Sequence, residues 1–141
     1  MAKALASLAL LIAAVIAATP AAAAGQCPVD EAAIAQAGGY ALAVEAAVSA
    51  APDCERAFRV LEACRLGASG DVALAAIVRG KCEPLFVRKA NPGMKAAYGK
   101  KRAGCAKIAK TNEGTMYLGL AAVCEARAAR NFARKFAGGR H

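Results

Sequence analysis

The chain has 141 residues and a formal net charge of +9; its hydrophobic fraction of 58% is dominated by alanine, with four phenylalanines, three tyrosines and no tryptophan. That length suits one domain, but at about 25 cal/mol per Å² of buried apolar surface such small side chains contribute little each, so the core needs covalent help. The one histidine, His141, is the last residue, which leaves no internal imidazole as a general base, and the absence of Cys-x-x-Cys and Cys-x-x-Cys-His argues against a zinc site and covalently attached haem.

In chain order, Lys3 is followed by an apolar run at 4–18 and then Thr19-Pro20 and four alanines. Basic start, apolar stretch and small residues are the order of a secretory signal peptide, expected over 1–24 with cleavage after Ala24. The run is short for a membrane-spanning helix, and Gln26 stands where a lipoprotein signal before Cys27 wants a small residue. The rest reads as one helical domain, 25–137, with a frayed tail at 138–141.

Pro28, Asp30 and Glu31 mark a helix start, and Gly38-Gly39 interrupts before the apolar 40–50, giving two short helices or one broken helix. Asp53 is a candidate N-cap for a helix over 54–66, whose stripe runs Cys54, Phe58, Leu61 and Cys64 and stops at Gly67. Ser69-Gly70-Asp71 starts the next helix, 72–89, with a kink or short break expected near Gly80, since Pro84 also weakens it. Asn91 and Pro92 restart the chain as cap and first turn. Met94, Ala97, Tyr98, Cys105 and Ile108 then form a stripe, and after the turn at 112–114 Thr115 is a candidate N-cap for a last helix lined by Met116, Leu120, Val123, Cys124, Phe132 and Phe136. No strand pattern and no repeat occurs. The expected fold is all-α: a small disulfide-stabilised bundle of about four to five helices.

All six cysteines, Cys27, Cys54, Cys64, Cys82, Cys105 and Cys124, follow the expected cleavage site. An even count in an exported chain implies up to three disulfides. Cys54 and Cys64 are too far apart along one helix to bond each other. Cys54 and Cys82 are nearly equidistant from the turn at 67–69, Cys105 and Cys124 are offset by about one helical turn around 112–113, and Cys27 and Cys64 then remain. That set is one of several the spacing leaves open.

Charge is uneven. Residues 25–80 hold four Lys/Arg against seven Asp/Glu, and 81–141 hold fourteen against three. A basic half points to acidic partners such as envelope lipids, cell-wall polymers or an acidic protein, while nucleic acid is not expected without interleaved aromatics. The candidate contacts are the run Lys100, Lys101 and Arg102, and the stripe Arg127, Arg130 and Arg134, which shares one helix face and whose guanidinium forks suit phosphate or carboxylate; a merely solvated face is the competing reading for both. Scattered acids, no paired carboxylates and no glycine-rich phosphate loop lead to no expectation of enzymatic activity and none of a cofactor or metal.

Tyr98, Arg102, Cys105, Glu113-Gly114-Thr115-Met116, Cys124, Arg127 and Arg130 together resemble the C-terminal half of small exported domains of the lysozyme inhibitor LprI, N-terminal domain type, over about 94–135. The chain departs from that pattern in lacking the tryptophan before the tyrosine helix, in having Ala103-Gly104 where the family has Asp before its cysteine, and in one glycine of the turn. The resemblance implies a periplasmic or secreted protein that binds and blocks a lysozyme, with no inhibitory residue transferable. Basic lysozymes would repel a basic surface except at their acidic cleft. The expectation is therefore an exported, disulfide-tied binding protein of the cell envelope, lysozyme-inhibitor-like; the alternatives are a cationic helical protein that holds anionic polymers or lipid surfaces, and a structural exported protein.

Overall fold

A computed structural model describes residues 25–139; the expected signal peptide, 1–24, lies outside the described residues. Among them the chain forms six α-helices and no strand: α1 (Glu31–Ala37), α2 (Tyr40–Ala50), α3 (Cys54–Ala63), α4 (Gly70–Cys82), α5 (Pro92–Thr111) and α6 (Thr115–Gly138), with a 3₁₀ turn at Glu83–Leu85 after α4. The all-α, disulfide-stabilised bundle is thus the observed architecture, and the stretch before Pro52 resolves into two helices.

The caps explain most boundaries. The Asp30 carboxylate accepts the Ala33 N–H at 2.8 Å, the Asp53 carboxylate the Arg56 N–H at 2.7 Å, and the Asn91 side chain the Met94 N–H at 2.8 Å. Each satisfies one donor that the first turn of a helix leaves unpaired. α1 ends on Gly38 in the left-handed region, at φ 83°, where a side chain would be strained.

Four expectations need correction. α3 stops at Ala63, short of Leu66, with Cys64 as its C-cap. α4 passes through Gly80 without a break and ends at Cys82; the interruption comes at Pro84, inside the 3₁₀ turn, because proline has no N–H to continue the ladder. Thr115 is the first helical residue and Gly114, at φ 108°, holds the N-cap position. α6 continues through Gly138, and the Gly139 N–H reaches Lys135 O at 3.0 Å, so the expected tail at 138–141 is helical at its start.

α6 is the central helix, packed against α3, α4 and α5. Its buried face is Gly119, Ala121, Val123, Ala126, Ala128, Ala129 and Ala133. So small a face lets neighbouring helices approach closely, and larger side chains from the other elements fill the core: Val44, Val48, Phe58, Leu61, Leu74, Val78 and Phe86. Phe86 sits in an aromatic cluster, edge-on to Tyr98 with centroids 5.0 Å apart and 6.0 Å from Phe132, a geometry the ring quadrupoles favour.

Three disulfides tie the helices. Cys27–Cys64 fastens the segment before α1 to the end of α3, Cys54–Cys82 joins the start of α3 to the end of α4, and Cys105–Cys124 closes α5 on α6, with Cα–Cα distances of 4.9, 4.8 and 5.5 Å. Of the pairings the spacing left open, this is the set that placed Cys54 opposite Cys82, let the turn absorb the Cys105–Cys124 offset and left Cys27 with Cys64. At about 2–4 kcal/mol each, the bridges offset what an alanine-rich core lacks.

Candidate anion-binding face

Four arginines, Arg79, Arg102, Arg127 and Arg130, pair across elements with carboxylates of the protein itself. Arg130 grips the Glu55 carboxylate with both branches of its guanidinium, Nε donating at 2.7 Å, while its guanidinium lies 5.1 Å from the centre of the Phe58 ring. Arg127 donates to Glu62, which also accepts from Arg65 at 2.7 Å. These two pairs join α6 to α3. The Arg130 hydrogen bond holds the Glu55 carboxyl below its ordinary value, against an opposing push from burial. Burial likewise pushes Glu62 up, but hydrogen bonds from Arg127 and Arg65 outweigh it and the net shift is downward.

A second network joins α4, α5 and α6. Arg102 donates to the Glu125 carboxylate through Nε at 3.2 Å and Nη2 at 3.0 Å; Arg79 donates to the same oxygen at 3.0 Å. Glu83 lies 3.8 Å from Arg102 and accepts the Tyr98 hydroxyl proton at 2.6 Å. Burial, reinforced by that bond to Glu83, raises the Tyr98 hydroxyl far above the usual phenol range. Tyr98 is 6% exposed, a core residue as its helical spacing implied. Asp71, the one buried charged residue described, accepts the Leu66 N–H at 2.8 Å and the Gly67 N–H at 3.0 Å, fastening the α3–α4 loop.

The structure therefore divides the six candidate contacts. Arg102, Arg127 and Arg130 are engaged in ion pairs within the protein. Arg134 is exposed, and its charge helps lower Glu55. Lys100 and Lys101 are exposed on α5 and line a groove of about 630 Å³ between α5 and α6, with the Cys105–Cys124 bridge and Phe132 in its wall. Lys95, Lys107 and Lys110 add three more exposed cations to α5, a helix that contains no carboxylate. A second groove, of about 480 Å³, runs where α4 and α5 diverge over α6, between Val72, Leu118 and Lys110.

Sequence reasoning missed the acidic partners. Glu55 and Glu62 stand seven residues apart, two turns along one face of α3, and that spacing was the available signal for a carboxylate face able to receive the arginines of α6. Glu83 and Glu125 gave no such signal, because their shared partners, Arg79 and Arg102, come from two separate helices, α4 and α5.

Among the described residues no group of His, Cys, Asp or Glu side chains could hold a metal ion, and no helix is long and apolar enough to cross a membrane. Comparison with family models, curated proteins and solved structures finds no match to this chain.

Proposed function

We propose that this is an exported, non-enzymatic binding protein that engages a polyanionic envelope component through the lysine face of α5. The observation that carries the reading is the concentration of exposed lysines on α5, with the nearest carboxylates taken up by arginines. The arginines Arg79, Arg102, Arg127 and Arg130 meet carboxylates of the protein itself, whereas Lys95, Lys100, Lys101, Lys107 and Lys110 stand exposed on a helix without an acid. Unpaired ammonium groups on one helix sum to a field that draws anions. Three disulfides suit an oxidising compartment, the periplasm or the cell exterior.

The test is retention of the oxidised protein on a sulfonate resin and on vesicles containing phosphatidylglycerol, at two salt concentrations. Retention is expected to fall steeply with salt as the Debye length shortens, and to fall in a Lys100→Glu/Lys101→Glu/Lys107→Glu variant. Salt-independent retention sinks the proposal.

A second reading is lysozyme inhibition. The closure of the hairpin by Cys105–Cys124 supports it, since those are the two cysteines of the LprI-like pattern, and a lysine of α5 would then enter the enzyme's acidic cleft. Unchanged lysis of cell-wall suspensions by a lysozyme in the presence of excess protein removes this reading and leaves the first intact.

A further inference from the structure

The groove between α5 and α6 combines three properties. Its charge is one-sided: Lys100 and Lys101 line it and no carboxylate does. Its remaining surface is largely apolar, formed by the buried Cys105, the half-buried Cys124 and Phe132, and alanines of both helices. It also contains Gly104, in the interior of α5, where an added Cβ would meet nothing within 4 Å. A glycine in mid-helix costs about 1 kcal/mol relative to alanine, and no neighbouring part of the protein requires one here. The space it leaves open belongs to the groove.

We infer that the groove binds a single-chain fatty acid, the carboxylate held by the ammonium groups of Lys100 and Lys101 and the alkyl chain laid over the Cys105–Cys124 bridge toward Phe132. The inference rests on the reading that the α5 lysines engage anions, and it adds an apolar requirement. Size favours a small amphiphile: 630 Å³ falls within the range of about 300–1,000 Å³ usual for small-molecule sites. The nine residues lining it are far fewer than the roughly 20–30 per side of a stable protein interface. The headgroup follows from the donors. The groove is lined by two ammonium groups and no guanidinium, point charges that hold a single carboxylate without two-point geometry. Two cations line the groove with no carboxylate to offset them, and a bound carboxylate supplies that counter-charge.

Calorimetric titration of sodium oleate, below its micellar concentration, into the oxidised protein tests the inference. Saturable binding at one oleate per chain is expected. Gly104→Leu fills the groove and should weaken oleate binding by at least about tenfold, a change of about 1.4 kcal/mol. Leucine is the better helix former, so urea unfolding should show this variant no less stable, and its retention on a sulfonate resin should persist. Lys100→Ala/Lys101→Ala should weaken oleate comparably. Equal oleate affinity in Gly104→Leu overturns the inference, as does heat that tracks micelle formation alone. The same holds if an acidic helical peptide, and not oleate, proves to be what Gly104→Leu excludes. Absent oleate binding with resin retention preserved removes the fatty acid and leaves the lysine face; salt-insensitive retention removes the lysine face itself.

Discussion

Two glycines within helices show how far a single residue's role depends on what lies across from it. Gly104 and Gly119 are both interior helical positions, and helix propensity alone predicts that alanine stabilises each by up to about 1 kcal/mol. At Gly104 that expectation stands. At Gly119 an added Cβ would lie 2.3 Å from the Ala68 carbonyl oxygen and 3.3 Å from Asp71 Cβ. Neither can retreat easily, because the Asp71 carboxylate pins the loop through the Leu66 and Gly67 amides. Gly119→Ala should therefore destabilise the protein by about 1–3 kcal/mol, the usual cost of overpacking, while Gly104→Ala raises stability; urea unfolding of the two variants side by side decides it. Nothing in the local sequence around Gly119 marks it, since the residue it avoids is fifty-one positions away.

At the scale of elements, helices were the most legible feature and their ends less so. Asp53 and Asn91 cap as their positions implied, because a side-chain acceptor three residues before a free amide is a local device. Gly80 misled because glycine only weakens a helix, whereas Pro84 stops it. The candidate site was half legible: a basic α5 is written in its composition, but the withdrawal of Arg127 and Arg130 into ion pairs depends on α3 lying against α6. Those pairs predict a pH dependence. Glu55 and Glu62 have folded-state values below their ordinary 4.5. Groups so shifted stabilise the fold fully above the ordinary value, and that contribution is lost as pH falls through the lowered one. The urea midpoint should be level from neutral pH down to about 5 and decline below 4.5. Glu55→Gln should lose stability at neutral pH and show a shallower acid decline. Because both carboxylates are more than a third exposed, solvent screening keeps the effect small. A midpoint unaffected by acid in the wild-type protein would show that the α3–α6 pairs contribute nothing.

For the whole molecule, the three bridges fall into two separate groups. Cys27–Cys64 and Cys54–Cys82 overlap in sequence and knit the first half together, while Cys105–Cys124 stands alone in the second. No bridge joins the halves, which meet through packing of α4 and α3 on α6 and through the Glu–Arg pairs. This bears on the order in which the thiols oxidise. A chain delivered N-terminus first into an oxidising compartment presents Cys54 as the earliest available mate for Cys27, and Cys82 as the next for Cys64. Both unions are non-native, and only Cys105 meets its proper mate as the next cysteine to arrive. A first half oxidised in that order would have to exchange bonds through mixed disulfides before closing. In oxidative refolding of the whole reduced chain, loop length acts the same way: the Cys105–Cys124 separation of 19 is the shortest of the native three, so this bond should accumulate early beside scrambled isomers of the other four cysteines, which a disulfide isomerase resolves and an oxidant alone leaves trapped. Peptide mapping of acid-quenched intermediates reads this out, and early, isomerase-independent formation of Cys27–Cys64 would refute it. The pattern of bridges that supports a small core would thereby make one half dependent on shuffling chemistry and leave the other independent of it.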